Sequence, residues 1–263
     1  MSVFENRTTN DEGPMPRAKR TNSNDAVGSR TAIPREPSQE RSRVRYRTLL
    51  DATAELVEER DFADISLYDI SDRGKVPPAS VYHFFPTKEA AFVALAKRYL
   101  EDLAQVLNHP TPLDEVNGWD DLLTIRYQRV VAYYNAHAAF ARIAFSGSTI
   151  SEIRRIDADY LADARHTPLG WLSNYLDMPY LPQAEFKFAC LVGIYDGIWT
   201  LSYSRHGRIA EPFAREGLRA GIAFCRTFLP DVIPFRTPKS APPAAPASRD
   251  GNVKAPKAAS RPE

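Results

Sequence analysis

Cysteine is nearly absent from this chain of 263 residues. Its two examples, Cys190 and Cys225, stand far apart without a C-x-x-C spacing, so neither a zinc site nor a disulfide framework is indicated. Both read as small apolar side chains on helices. Long apolar runs are missing too. Nothing approaches the roughly 18 residues of a membrane span, and the best stretch, Phe188 to Ile194, soon meets Asp196. The opening Met1-Ser2-Val3-Phe4-Glu5-Asn6 holds no apolar core of a secretory signal. These absences predict a cytoplasmic protein without membrane contact. Charge of one sign is also lacking: a formal net charge of +1 with 25% charged residues excludes a histone-like polycation. Any nucleic-acid contact must therefore come from local clustering. No G-x-S-x-G, H-E-x-x-H or phosphate-cradling glycine loop is present, and nothing calls for a cofactor.

What is present is concentrated between residues 66 and 88. Ser66, with Asp69 three residues on, forms a Ser-x-x-Asp capping box that opens a short helix. Leu67 and Ile70, about one turn apart, give that helix a buried edge. Gly74-Lys75 interrupts the pattern, and Pro78 suits the first position of the next helix, where its fixed φ and missing N–H cost nothing. Val81, Phe84 and Phe85 form the inner side of this second helix, leaving Ala79, Ser80, Tyr82 and His83 outward. Two short helices at a steep angle, the second with small and polar residues at its start, predict a helix-turn-helix.

Leu49-Leu50-Asp51-Ala52 through Phe62, then Ser66-x-x-Asp69-Ile70, then Val76 and Val81-Tyr82-His83-Phe84-Phe85-Pro86-Thr87-Lys88-Glu89, resemble the N-terminal domain of tetracycline-repressor (TetR) family regulators. The resemblance covers about residues 43 to 103 without a gap. Three positions depart from it. Asp61 stands where the family has a helix-ending Gly, and is expected to tolerate the left-handed conformation. Gly74-Lys75 replaces an Ala-Gly corner. Pro77 replaces a Ser or Thr cap and offers no hydroxyl. The resemblance implies that the helix from about Pro78 to Phe85 enters the major groove, that Ser66, Tyr82 and Lys88 contact phosphates, and that Ala79, Ser80 and His83 face base edges.

Residues 1 to 37, polar and broken by Pro14, Pro16, Pro34 and Pro37, read as a disordered arm. Its cluster Arg17, Lys19 and Arg20 reads as a solubilising feature or as a reach into an A·T-rich minor groove. A helix preceded by Ser38-Gln39-Glu40 and running to about Arg60 starts with Arg41, Arg43, Arg45 and Arg47, a solvated face or a set of phosphate contacts. Thr87 caps a fourth helix to about Leu107. Beyond the breaks at 108–112 and 117–118 the pattern is helical only: 119–135, 137–146, 150–176 (bent near Pro168-Leu169-Gly170), 182–204 and 211–229. The resemblance makes 104–231 a ligand-binding and dimerisation domain. Residues 232–263, rich in Pro and Ala, read as a disordered tail.

Chemistry beyond the motif is sparse. Asp159, Asp163 and His166 share one helix face, a metal set or three solvated side chains. The aromatic residues of the C-terminal half, among them Tyr127, Tyr134, Phe145, Trp171 and Tyr175, suit either a core or an apolar pocket with polar tips. Arg126, Arg142 or Asn135 could anchor a polar group of a ligand. Gly193 with Gly197, and Gly217 with Gly221, place glycines one turn apart on the last two helices, although each costs about 1 kcal/mol in a helix interior. They point to close helix contact, within one subunit or in the four-helix dimer interface that the resemblance implies.

The sequence thus predicts an all-α protein, an N-terminal three-helix helix-turn-helix domain joined to an all-helical domain. It would be a homodimeric repressor that a small-molecule effector releases from a palindromic DNA operator, and not an enzyme. Two alternatives are a regulator-like dimer that has lost specific DNA binding and acts through protein association, and a small all-α enzyme.

Overall fold

A computed structural model of the chain describes residues 34–146 and 167–236. The basic cluster at Arg17–Arg20, the Asp159/Asp163/His166 set and most of the 150–176 helix lie outside the described residues, as does the tail beyond 236. The described residues form nine α-helices, one 3-10 turn and a single antiparallel β-bridge. The predicted all-α class is what is found.

Helix α1 (Glu40–Glu59) buries Leu49, Leu50, Ala52, Leu56 and Val57 on one face. It ends differently from expectation. Arg60 and Asp61 are extended, with φ of −133° and −67°, so Asp61 does not take the left-handed position. Its backbone instead leads directly into the 3-10 turn Phe62–Asp64.

The capping box at α2 (Leu67–Gly74) is complete: the Asp69 N–H donates to Ser66 Oγ at 3.2 Å, and the Ser66 N–H donates to the Asp69 carboxylate at 2.9 Å. At the corner Lys75, not Gly74, takes the left-handed conformation, at φ 50°. Gly74 marks a close approach that a Cβ would just fill. A Cβ there would sit 3.4 Å from Leu49 and 3.5 Å from Ala52, where α2 crosses α1. Ser71 Oγ donates to Val76 O at 2.7 Å and holds the turn. Helix α3 (Pro78–Phe84) starts with Pro78 in its first turn, as predicted, and has no side-chain cap. Its Phe84 and the following Phe85 pack on the Tyr46 ring, at 5.5 and 5.3 Å.

Helix α4 (Lys88–Asn108) opens with the Ala90 N–H donating to Thr87 Oγ1. Its first half is buried on every side from Ala90 to Ala96, with Phe92 against Phe62 of the 3-10 turn; beyond, only a stripe of Tyr99, Leu100, Leu103 and Leu107 is covered. The same core continues through α5 (Trp119–Ala136), α6 (Ala138–Phe145), α7 (Pro168–Leu172), α8 (Ala184–His206) and α9 (Glu211–Cys225). The helix expected to run to 176 stops at Leu172 and passes into turns.

The expected tail boundary at 231 does not hold for the residues just after it. Trp119 Nε1 donates to Pro230 O at 3.0 Å, Ile233 is buried, and Leu176 bridges Phe235, with Asp177 N–H donating to Pro234 O and Arg236 N–H to Tyr175 O. Residues 230–236 are a strap across the bundle. Pro-rich composition suggested disorder, but two backbone hydrogen bonds, one from the Trp119 side chain and one buried Ile fix this short piece.

Candidate functional site

The outward side of α3 presents Pro78, Ala79, Tyr82 and His83 to solvent, with Ser80 half-buried, while Val81 and Phe84 anchor the helix in the core. Tyr82 is 58% exposed, and Tyr68 on α2, which sequence reasoning passed over, is 68% exposed. Its position directly behind the capping box was the available signal. Ser66 is exposed but occupied, since its hydroxyl and N–H both serve the box; these bonds hold the Asp69 carboxyl below the usual carboxylate range.

Most cations of this domain are already paired. Arg43 and Arg47 meet Glu40, Arg60 meets Asp69, Arg73 meets Glu55 and Glu59, and Arg98 meets Asp51. Lys88, expected at a phosphate, turns inward: Nζ donates to Phe62 O at 3.0 Å and Ala63 O at 2.8 Å, which ties the start of α4 to the 3-10 turn. Arg35, Arg41, Arg45 and Lys75 make no side-chain ion pair or hydrogen bond among the described residues. Two of them lie at the ends of α3: Lys75 precedes it, and the Arg35 N–H donates to Phe84 O at its end. Arg41 and Arg45 are exposed on the first half of α1, whose Tyr46 packs on Phe84.

In the bundle, the five aromatic residues singled out from sequence divide into two groups. Tyr127, Tyr134 and Phe145 converge with Phe140, Tyr195, Trp199 and Tyr203. Trp199 Nε1 donates to Tyr127 Oη at 2.9 Å, and burial pushes the Tyr127 phenol up to about 12. Trp171 and Tyr175 belong elsewhere. Trp171 Nε1 donates to Leu107 O at 2.9 Å, and Tyr175 Oη donates to Thr111 Oγ1 at 3.2 Å, so both knit the far end of α4 to the strap region. Sequence reasoning missed Tyr195 and Trp199, one turn apart on the buried face of α8 with Phe188 and Leu191. The Tyr195 hydroxyl is buried with no hydrogen-bond partner among the described residues, and burial raises its pKa far above that of a free phenol. Asn135 is committed to the Ile209 backbone N–H and C=O, and Arg142 to α1. Arg126 is buried.

The four glycines also part ways. Gly217 and Gly221 are buried inside the subunit, where a Cβ would overlap Tyr127 and the Tyr195 ring respectively. They serve close packing of α9 on α5 and α8, so the expectation that they face a partner is corrected. Gly193 and Gly197 are exposed on α8, with nothing within 4 Å of a Cβ. They share an outer line with Phe186 (66% exposed) and Leu201 (45% exposed).

Among the described residues no helix is long and apolar enough to cross a membrane, and no cluster of three or more His, Cys, Asp or Glu could hold a metal. Comparison with curated proteins gives no match. Residues 49–95 match the family model described as bacterial regulatory proteins, tetR family. The fold is similar to that of a transcriptional regulator from Rhodococcus sp. Rha1 (TM-score 0.55, 18% identity, covering 72% of this chain and 99% of that one). It is also similar to a tetR-family transcriptional regulator from Streptomyces coelicolor (0.53, 18%, 70% and 79%). A third similar structure is that of the multidrug binding protein EbrR complexed with imidazole (0.51, 18%, 72% and 96%). By the motif at 49–95 and by its all-helical architecture, the chain carries the N-terminal domain and the fold of TetR-family regulators.

Proposed function

We propose that this chain is a dimeric, effector-responsive transcriptional regulator, a repressor that leaves a near-palindromic operator when a small molecule binds its helical bundle. The observation that carries the DNA-binding part is the outward side of α3, with Ala79, Tyr82 and His83 exposed between Lys75 before the helix and Arg35 at its end. Arg41 and Arg45 are exposed on α1, and none of the four cations is paired among the described residues. Phosphate contacts from such residues position the helix, and Ala79, Ser80 and His83 then meet base edges. Tyr82 and Ser66 remain phosphate contacts in this reading; Lys88 holds α4 in place instead. The DNA-binding part spans about 43–103, and the effector and dimer functions fall to 104–231 together with the strap.

Two features support the rest. Helix α8 is apolar on both sides, burying Phe188, Leu191, Tyr195 and Trp199 while exposing Phe186, Gly193, Gly197 and Leu201. A helix apolar all round wants cover on both faces, and a second copy of α8 supplies it. In this reading the Tyr127–Trp199 aromatic cluster, apolar with phenol tips, is where a small molecule would enter, by displacing rings that now pack on one another. Effector binding acts by population shift, through different affinities for a DNA-competent and an incompetent dimer. The fold points away from an enzyme, and the site of action would be the cytoplasm.

One observation favours a second reading. Glu40 neutralises Arg43 and Arg47, and Lys88 is turned inward, so the motif has few free cations. A dimer that acts by protein association alone would need none. Selection of duplexes from a random pool, with and without metabolite extract, separates the two. Enriched near-palindromic duplexes, released by the extract, support the first; an intact dimer that enriches nothing at low salt supports the second.

A further inference from the structure

Four consecutive residues at the end of α1 hold two different helices. Glu58 and Asp61 hold α6. Glu58 Oε1 accepts the Ala139 N–H at 3.2 Å, in the first turn of α6, and Arg142 donates to Glu58 O at 3.3 Å and to Asp61 Oδ1 at 2.5 Å. Glu59 and Arg60 hold α2. The Glu59 carboxylate takes both Nη groups of Arg73, at 3.0 and 2.6 Å, in the last turn of α2; Arg60 meets Asp69 at 3.1 Å, inside its capping box. So α2 is gripped at both ends, and α6 at its first turn and one turn further on, by neighbouring residues of one short segment.

Exposed ion pairs are weak stabilisers singly, and several of these side chains are exposed. Their geometry is the point. Two of the contacts end on helix-terminal backbone groups, the Ala139 N–H and the Glu58 carbonyl, that lack partners within their own helices. Fork-shaped Arg73 on Glu59 fixes orientation as well as distance. Helix α2 in turn sets α3, because Gly74 lies against Leu49 and Ala52 while Ser71 bonds across the corner to Val76. Helix α6 belongs to the bundle, with Phe140 and Phe145 in contact with Tyr134 of the aromatic cluster.

We propose that Glu58-Glu59-Arg60-Asp61, with Arg142 and Arg73 as its two clamps, is the coupling segment through which the position of α6 in the bundle sets the position of the helix-turn-helix. These are positioning residues; none is assigned to DNA or effector. The role in regulation rests on the DNA-binding reading above, whereas the coupling itself does not. Helix α4 runs through both parts and also meets α6, through Tyr99 on Phe140 at 5.1 Å. It meets α6 by apolar stacking, and its own charged ties, Lys88 to the 3-10 turn and Arg98 to Asp51, lie in its first half, so the half beyond Arg98 serves as an internal control.

The test is amide hydrogen exchange on the full chain without DNA. Arg142→Met should speed exchange in α2 (Ile70–Gly74) by about fivefold, the low end of the coupling between distant sites, and leave Leu100–Leu107 of α4 unchanged. Arg73→Met should do the same to α6. Asp61→Asn, a milder change, should show the α2 effect at smaller size should Arg142→Met unfold. Variants that loosen only the helix they touch would overturn the proposal. A second arm adds a duplex enriched from the random pool: it should slow exchange across α6 in the wild type and not in Arg142→Met. Equal slowing in both also overturns it. Failure to enrich any duplex refutes the DNA-binding reading, while the DNA-free arm still decides the coupling.

Discussion

The four glycines of α8 and α9 offer a Gly→Ala series in which one chemical change should act in opposite directions. In an open helix interior the substitution gains about 1 kcal/mol from backbone propensity. At Gly193 and Gly197 nothing lies within 4 Å of the new Cβ, so each subunit should gain about that amount. At Gly221 the Cβ overlaps the ring and hydroxyl of Tyr195. That ring is no flexible tip: it is buried against Tyr127 at 4.7 Å and stacked on Trp199 at 5.5 Å. Overpacking costs about 1–3 kcal/mol; an overlap this severe calls for the upper part, about 2–3 kcal/mol, which less the propensity gain leaves a net loss of roughly 1–2 kcal/mol. Gly217→Ala pushes on Tyr127 Oη and strains its bond from Trp199 Nε1, adding about 1 kcal/mol. Urea unfolding at several protein concentrations separates subunit stability from association, because dimer stability alone shifts with concentration. A Gly221→Ala protein as stable as wild type would refute the packing argument. Gly193→Ala and Gly197→Ala proteins that remain dimers with wild-type association would remove α8 from the interface.

Lys75→Gly relieves a left-handed residue and should raise stability by about 1 kcal/mol, read from the urea midpoint. Lys88→Ala leaves the Phe62 and Ala63 carbonyls without their donor and should lower stability by about 1–3 kcal/mol, while the salt dependence of DNA binding stays near wild type. Arg45→Ala should do the reverse: stability holds, and the slope of log affinity against log salt flattens by about 2 for a dimer losing one phosphate contact per subunit. The Asp69 carboxyl is held low by Ser66 and then by Arg60, so its contribution is complete above the usual carboxylate range and fades as pH falls through the depressed value. Ser66→Ala should therefore cost about 1 kcal/mol near neutral pH, and the difference from wild type should close in acid.

The motif was legible because its signals are local. A capping box, a Pro at a first helical position and a turn-spaced pair of apolar residues fix α2 and α3 within a few residues, and the structure adds only that Lys75 takes the left-handed position. Lys88 and the glycines were not legible in the same way. A lysine at a helix start has the same sequence whether it faces a phosphate or two carbonyls; the choice depends on where the 3-10 turn Phe62–Asp64 passes. Glycines one turn apart announce a close approach but not its partner, and here Tyr127 and Tyr195 come from residues far away in the chain. The strap at 230–236 was hidden by proline-rich composition, since a single buried Ile233 carries no periodicity.

The central claim is that the outward side chains of α3 read DNA. The most direct measurement is the affinity of wild type and His83→Ala for a panel of single-base variants of an enriched operator, at several salt concentrations. The account predicts sequence-selective binding by the wild type. It predicts that His83→Ala loses about 1–3 kcal/mol of discrimination at one symmetric pair of positions, with an almost unchanged salt slope. Binding by the wild type that is indifferent to sequence, or a His83→Ala protein with the full wild-type pattern of preference, would contradict it.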